Sequence, residues 1–325
     1  MIDGTASVRR QIFGEMMKRL AANHERCYAP GDSCKNAPIR AHSVQNSRIL
    51  EAIQEHGHVV MPRLRLTFTA TPELPFERIG RNHATTFHGM CNAHDTEYFS
   101  PIETVDINSG DERHLFLLSY RAVLKEVHAT AKSAIDTQAS YRAGVERGFY
   151  PGDVPSAPGM LAVEHMMLAY MTHMHKLRYD AALLAQNWGA LRHTVLNLEV
   201  QPSLVANSLF STDGWSDETD SITYATLNVY PSHGTTWSVF SYLDEHSGAF
   251  FMAMQSLLDS TDRRKALSKF ILKKCENFAL KPSVYDSFSP EKREACEQYF
   301  VRNMGGQEFE PDDTSLLSLF PEHAV

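Results

Sequence analysis

The sequence predicts an α+β protein with a small N-terminal domain over residues 1–106 and a larger, mainly helical domain over 107–325. Three observations support this division. Three of the five cysteines lie among turn residues before residue 92, and long uninterrupted helical patterns begin only after residue 110. Charges balance over 1–106, at 12 of each sign, whereas 107–325 hold 19 Lys+Arg against 27 Asp+Glu, which accounts for the net charge of −8.

Short elements are expected in the N-terminal domain. Periodicity and turn signals predict a helix over 6–24, a strand over 39–44, a helix from Asn46 to Gly57, a strand over 58–71 and one or two helical turns over 92–103. Pro72 ends the second strand, because proline removes a backbone donor. The domain is therefore expected to be rich in loops.

The second domain begins with two long helical patterns, over 111–147 and 157–187. The linker GFYPGDVPSAPG, which overlaps the start of the second pattern, holds three Pro and three Gly. Residues rich in β-branched and aromatic side chains follow over 195–243, and they predict a short antiparallel sheet with a β-hairpin near 221–243. Two further helices are expected over 247–274 and 290–303.

Two pairs of soft metal ligands stand out in the N-terminal domain. Cys91 and His94 are separated by two residues, and Cys27 and Cys34 by six residues that include Pro and Gly. Structural zinc sites take four thiolate and imidazole ligands, usually as two close pairs. We therefore expect these four residues to form one closed Zn²⁺ site; the alternative is that the cysteines are small buried apolar residues without metal.

The segments IRAHSV and CNAHD resemble parts of the HNH, or ββα-metal, nucleases, in which a strand carries the catalytic His and a zinc knuckle opens the metal-binding helix. The resemblance implies that His42 is the general base that activates water. It implies that Asp95 is a ligand to a divalent ion, Mg²⁺ or Mn²⁺, since Asp95 stands where the last His of the group stands. A base of near-neutral pKa and an oxygen ligand to a metal suit phosphodiester hydrolysis.

The catalytic set departs from the HNH pattern at two positions. Ala41 stands where an acid or a second His often binds metal, and Thr86 stands where the central Asn of the pattern falls. Asn82 and His83 are displaced candidates to complete the set. A zinc module that binds without cutting is therefore a serious alternative.

A wider resemblance covers both domains. The segments APIRAHSVQNSRILEAIQEHGHVVMP and IGRNHATTFHGMCNAHDTEYFSPIE, with KKCENFALKPSVYDSF near residue 280, look like those of a family of uncharacterised bacterial proteins. The resemblance implies no particular activity. It does imply that the second domain belongs to the same functional unit.

The uneven distribution of charge restricts where the chain is expected to contact nucleic acid. The acidic second domain argues against nonspecific coating of nucleic acid, whose affinity depends on neutralising phosphates. Contact is therefore expected only in the N-terminal domain, where four arginines lie close together in sequence: Arg63, Arg65, Arg78 and Arg81. Their alternative role is an ordinary solvated surface.

These patterns predict a metal-dependent nucleic-acid endonuclease of HNH type. The alternative is a noncatalytic zinc-stabilised module that binds nucleic acid or a protein partner, with an effector or partner on the helical domain. The first thirty residues lack the continuous apolar core of a signal peptide, and no run approaches the roughly 20 apolar residues of a membrane span. We therefore expect a cytoplasmic, bacterial-type protein without membrane contact.

Overall fold

The computed structural model describes residues 14, 18, 26–31, 33–65, 73–216, 221–304, 309–311 and 313–321. The helix predicted over 6–24 lies outside these residues, except for Gly14 and Lys18, which are helical. The end of the strand predicted over 58–71 lies outside them as well.

The N-terminal elements are short. They are β1 (Ala41–His42), a π-helical turn (Asn46–Leu50), β2 (His58–Pro62), β3 (Phe76–Gly80), a 3₁₀ turn (Arg81–His83), β4 (Thr86–Phe87) and α1 (Asn92–Glu103). β1 and β4 form a two-stranded antiparallel sheet in which His42 lies opposite Thr86. α1 follows β4 directly, so the strand with His42 and the helix with His94 belong to one ββα unit.

The helix predicted from Asn46 to Gly57 is shorter than expected, because a π-helical turn covers Asn46–Leu50 and helical backbone hydrogen bonds continue only as far as Gln54, whose N–H donates to the Leu50 carbonyl. Residues His56 and Gly57 have positive φ angles of 51° and 77°, and Glu55 forms a bridge with His58. The chain therefore turns back into β2 instead of continuing as a helix, because left-handed backbone is incompatible with the α-helix.

The two long helices are confirmed as α2 (Glu112–Glu146) and α3 (Ala157–Leu184). Each begins with a side-chain cap: Asp111 accepts from the backbone N–H groups of Arg113 and His114, and Ser156 accepts from that of Gly159. Between them the chain reverses, and the two helices pack against each other along their length.

The remaining elements are β5 (Leu191–Asn197), β6 (Leu204–Ser216), β7 (Ser221–Ser232), β8 (Thr235–Leu243), α4 (Ser247–Leu258), α5 (Arg263–Lys274), β9 (Phe278–Leu280), α6 (Pro282–Asp286) and α7 (Pro290–Met304). The single helix predicted over 247–274 is two helices. Asp262 starts the second one by accepting from the backbone N–H of Lys265. The predicted hairpin near 221–243 is present as β7 and β8.

The main sheet is larger than the short one expected. It has seven antiparallel strands in the order β3-β2-β9-β6-β7-β8-β5. The register pairs Val60 with Leu280, so strands from both sides of residue 106 share one sheet. The division into two domains at residue 106 stays a prediction.

The sheet separates two hydrophobic clusters. Alternate residues of β6 point to opposite faces, so Val205 belongs to one cluster and Leu204 to the other. The first cluster contains the buried face of α2 and also Cys27 and Cys91. The second contains the buried faces of α4, α5 and α7. The cysteine-bearing loops therefore pack on the α2 side of the sheet.

Candidate metal centre

The cysteine-bearing loop and the start of α1 are joined by backbone hydrogen bonds. The N–H of Tyr28 donates to the carbonyl of Gly89 at 2.8 Å, and the N–H of Ile39 donates to that of Met90 at 2.9 Å. Between these two bonds the loop reverses through Gly31, whose φ of 87° suits glycine. The bonds hold both ends of the loop against the segment that leads into α1.

The four predicted zinc ligands lie together at this junction. Their ligand atoms, the three Sγ atoms of Cys27, Cys34 and Cys91 and a ring nitrogen of His94, all lie within 4.8 Å of one another. Cys91 is the N-cap residue of α1 and His94 lies in its first turn. The cluster is half-buried to buried, as structural metal sites commonly are.

The separations match a tetrahedral metal site. His94 Nδ1 lies 3.5 Å from Cys27 Sγ and 3.4 Å from Cys91 Sγ, and Cys34 Sγ lies 3.9 Å from Cys91 Sγ. Zinc bonds of about 2.3 Å to sulfur and about 2.0 Å to nitrogen imply edges of roughly 3.8 Å between sulfurs and roughly 3.5 Å between sulfur and nitrogen. The cluster can therefore hold a metal ion such as zinc.

Two of the sulfurs in the cluster accept hydrogen bonds from neighbouring N–H groups. The backbone N–H of Cys91 donates to Cys27 Sγ at 3.2 Å, and the Asn36 amide donates to Cys91 Sγ at 4.0 Å. The His94 ring stacks on Tyr98 with an interplanar angle of 3°, which limits its rotation. These contacts orient the ligands from outside the coordination sphere, as in known metal sites.

The thiol pKa values differ between the cysteines. Burial raises the pKa of Cys27 to about 11. Burial also acts to raise the pKa of Cys91, but hydrogen bonds from the His94 backbone, Cys34 and Cys27 outweigh it and lower the pKa to about 7. Cys91 is therefore the more readily deprotonated of these two thiols, and a metal ion bound in the cluster would displace the proton of Cys27 as well.

His42 lies on β1 with its ring oriented by the backbone. Its Nδ1–H donates to the carbonyl oxygen of Ala84 at 2.9 Å, so Nε2 is left as the acceptor of the neutral ring. Burial lowers the pKa of His42, the Ala84 carbonyl opposes this, and Arg121 lowers the pKa further. The hydrogen bond thus selects one tautomer of the neutral ring, and the lowered pKa favours that neutral form.

Asp95 and His42 share an electrostatic neighbour, the ion pair between Arg121 and Glu103. Burial raises the pKa of Asp95, Arg121 lowers it and Glu103 raises it. Arg121 is only 2% exposed, and its guanidinium lies 4.2 Å from the centre of the Phe99 ring. The charge balance around the two predicted catalytic residues thus depends on this pair.

The displaced catalytic candidates Asn82 and His83 lie on the 3₁₀ turn before β4. The amide of Asn46 donates to Asn82 Oδ1 at 3.1 Å, and Arg40 lies 3.2 Å from His83 Nδ1. Within the part of the chain that the structure describes, the cysteine–histidine cluster is the one group of three or more metal-binding side chains close enough to hold an ion. A catalytic role for Asn82 and His83 stays a prediction, as does a Mg²⁺ or Mn²⁺ site.

The four predicted phosphate-binding arginines all have acidic partners. Arg63 and Arg65 pair with Glu77, Arg78 pairs with Asp286, and Arg81 pairs with Glu51. Arg63, Arg65 and Arg78 are more than half exposed, whereas Arg81 is 27% exposed and Glu77 is 19% exposed. Exposed ion pairs are weak, so a phosphate can compete for these arginines, but the neighbouring carboxylates reduce the local positive charge.

No family model, curated protein or solved structure matches this chain. What can be inferred about function therefore depends on the chemistry of the cluster and of the residues around it. None of the described helices is both long and apolar enough to cross a membrane.

The ion pair of Arg121 and Glu103 was not among the features predicted from the sequence. A signal was present, because Arg121 is the one charged residue in the otherwise apolar run LFLLSYRAVL over 115–124. A single charge on a buried helix face requires a partner. The partner, at the end of α1, has no local sequence relationship to α2.

Proposed function

We propose that Cys27, Cys34, Cys91 and His94 bind one structural Zn²⁺ ion. The support is their mutual approach within 4.8 Å from segments more than 50 residues apart, at separations that suit tetrahedral zinc. Four protein ligands leave no open position, so this ion would hold the ββα unit together without activating water. Elemental analysis of the purified protein should give one zinc per chain, and a folded, metal-free protein would contradict the proposal.

We further propose that the ββα unit is HNH-like and hydrolyses phosphodiester bonds with His42 as the general base. The observation that carries this is the 2.9 Å hydrogen bond from His42 Nδ1 to the Ala84 carbonyl. It leaves Nε2 free to take a proton from water, and a neutral ring is the form that can accept one.

A closed zinc site makes a second cation necessary for this reaction. Asp95, on the first turns of α1, is the proposed carboxylate ligand for Mg²⁺ or Mn²⁺. One protein carboxylate is compatible with Mg²⁺, because this ion commonly binds one or two carboxylates together with waters and substrate phosphates. The substrate phosphate would then supply ligands that the protein lacks, and Arg63, Arg65, Arg78 and Arg81 would hold neighbouring phosphates.

The experiment is incubation of the full-length protein with plasmid DNA and with RNA, each with Mg²⁺ or Mn²⁺ and with EDTA. His42→Ala should abolish cleavage, whereas His58→Ala, at an exposed histidine on β2, should leave it unchanged. Zinc content must be equal in all three proteins. Cleavage by His42→Ala at the wild-type rate would exclude His42 as the base.

The second candidate function is a noncatalytic zinc-stabilised module that binds nucleic acid or a protein partner. Ala41, which offers no metal ligand beside His42, favours this module over the nuclease. The carboxylate partners of the four arginines favour its protein-binding form. This candidate predicts one zinc per chain without cleavage of any substrate with either cation. Binding of nucleic acid that weakens as salt is added would indicate a nucleic-acid-binding module, and its absence would indicate a protein-binding one.

A further inference from the structure

An apolar stripe runs along α3. Its members recur at alternating steps of three and four residues: Met160, Val163, Met167, Tyr170, Met174, Leu177, Ala181 and Leu184. All eight are exposed, and the seven large ones have exposed fractions from 38% to 67%. Steps of three and four give the 3.5-residue repeat with which one helix packs along another in a coiled coil. We call these eight residues the α3 seam.

The seam lies opposite the face of α3 that packs on the rest of the protein. Buried residues of α3 include Ala162, Thr172, Lys176, Tyr179 and Leu183, and each stands two positions after a seam residue. Two positions correspond to a rotation of about 200° around an α-helix with 3.6 residues per turn. The seam therefore points away from α2 and the sheet.

A buried polar network prevents α3 from rotating to bury its seam. Lys176 Nζ donates to Asp180 Oδ2 at 2.5 Å, and the hydroxyl of Tyr120 on α2 donates to Asp180 Oδ1 at 2.7 Å. Turning the seam inward would expose this network and leave Tyr120 without its acceptor, which is unfavourable for buried polar groups. The exposed state of the seam is thus a property of the folded chain.

The seam is long and nearly free of charge. It spans 25 residues, or about 37 Å of helix at 1.5 Å per residue. From Ala157 to His175, Glu164 is the one Asp, Glu, Lys or Arg residue. Contiguous apolar surface of this extent marks an interaction site. A nucleic acid or an anionic bilayer would require Lys and Arg here, so the partner that fits is an apolar helix.

We propose that the α3 seam packs against the α3 seam of a second copy of this chain, antiparallel and related by a twofold axis. In this arrangement each seam residue faces one residue of the other copy: Met160 faces Leu184, Val163 faces Ala181, Met167 faces Leu177 and Tyr170 faces Met174. The twofold axis repeats each of these contacts once. The steps of three and four interleave without interruption in this register, so one stripe is complementary to itself. The product is a row of four long helices with α2 on both outer sides.

Charge favours the antiparallel orientation. Glu164 and Arg178 occupy equivalent flanking positions near opposite ends of the seam, so antiparallel pairing brings them together across the interface at both ends. Arg178 already pairs with Glu245 of its own chain at 2.5 Å, and Glu164 adds a second carboxylate. Parallel pairing would instead place Arg178 beside His173 of the other copy.

The test is sedimentation equilibrium of the full-length chain. We expect the wild type to be a dimer. The dissociation constant of the dimer should be at least tenfold higher for Met174→Glu and for Met167→Glu. Leu168→Glu is the matched control, because Leu168 is 43% exposed against 44% for Met174, lies on the same helix and is off the seam. The control should remain a dimer, and the circular dichroism spectra should show the same helix content in all four proteins, so that loss of the dimer is not loss of the fold.

Orientation is tested by mixing variants that each carry one added cysteine at the seam and adding a short bismaleimide. The wild type, in which Cys34 is half-buried and the other four native cysteines are buried, gives the background level of cross-linking. A mixture of Met167→Cys and Leu177→Cys should give more cross-linked dimer than either variant alone, since these positions face each other only in the antiparallel dimer. Self-cross-linking of Met167→Cys alone would overturn the orientation. A monomeric wild type, a dimer that survives both glutamate variants, or a monomer that binds phosphatidylcholine vesicles through the seam would overturn the proposal.

Discussion

The side-chain amide of Asn277 donates a hydrogen bond of 2.9 Å to the hydroxyl oxygen of Ser43, 234 residues earlier in the chain. The same amide donates to the carbonyl of Asn207 on β6 at 2.8 Å, and the Ser43 hydroxyl donates to the carbonyl of Thr85 at 3.0 Å. Asn277 is 4% exposed. The residue that follows His42 is therefore held in place by the segment before β9.

Replacement of Asn277 tests this connection. Asn277→Ala removes two buried hydrogen bonds and leaves the Asn207 carbonyl without this donor, so the free energy of unfolding should fall by about 2–4 kcal/mol. Asn277→Asp should cost at least as much, because a carboxylate can donate to neither oxygen. Urea unfolding measures both changes. A loss below about 0.5 kcal/mol for both variants would show that the contacts add little stability.

Removal of the metal should lower thermal stability. Cys34→Ser leaves three good zinc ligands, and we expect it to lose most of its zinc and to melt at least about 5 °C lower, since metal binding stabilises only the folded chain. Cys296→Ala is the control, because Cys296 is buried far along the chain on α7. It should retain one zinc per chain. Equal zinc content in the two variants would contradict the assigned ligand set.

The Arg121–Glu103 pair should contribute more to stability than a similar exposed pair. Glu103→Gln leaves the guanidinium of Arg121 buried without its counter-charge, and loss of one partner of a buried pair costs about 3–5 kcal/mol. Because Glu103 itself is 36% exposed at its side chain, we expect the lower end of that range. The free energy of unfolding in urea is the measurement.

The control for that experiment is Asp106→Asn. Asp106 pairs with Arg48 at 2.5 Å, but both side chains are largely exposed, at 72% and 44%. Exposed pairs contribute about 0–1 kcal/mol. If Glu103→Gln and Asp106→Asn lowered the free energy of unfolding equally, burial of Arg121 would not strengthen its pair with Glu103.

His175 should make the fold sensitive to acid. Burial lowers its pKa to about 3, with further lowering from His246 and Arg178. The folded state therefore binds fewer protons than the unfolded state, whose histidine has a pKa near 6.5, so stability falls as the pH drops from about 6.5 towards 3. At pH 5 this single group should cost about 2 kcal/mol relative to pH 7.

The corresponding variant is His175→Leu, compared with wild type by urea unfolding at pH 7 and pH 5. The difference in stability between the two pH values should be smaller in the variant by about 2 kcal/mol, whatever its stability at pH 7. His193→Leu offers a comparison. Burial lowers the pKa of His193 to about 4, so this variant should also show a smaller loss of stability between pH 7 and pH 5 than the wild type. An unchanged pH difference in His175→Leu would contradict a depressed pKa in the folded state.

The sequence predicted those features whose signal is local. Cys91 and His94 lie one helical turn apart and Cys27 and Cys34 flank a turn, so residue type and spacing alone indicate their chemistry. The long helices were predictable from their helical patterns, the first of which continues without Pro or Gly as far as Gly144. The α3 seam is also local, but its apolar residues are equally typical of a core, and only their exposure distinguishes the two.

Features that depend on distant partners were not predictable. Val60 pairs with Leu280 through a single strand contact, and no local pattern specifies that β9 enters between β2 and β6. The helix predicted over 46–57 is shortened for a similar reason, because the left-handed backbone at His56 and Gly57 turns the chain back into β2. Tertiary pairing overrode local propensity there.

The position of β9 has a consequence for the order of biosynthesis. This three-residue strand is among the last elements to leave the ribosome, yet it is the one that joins β2 to β6. A nascent chain that ends before Asn277 already contains all four residues of the cysteine–histidine cluster, which precede residue 95, but lacks the side chain that anchors Ser43. The ligands of the proposed zinc ion are therefore translated long before the residue that positions the segment after His42.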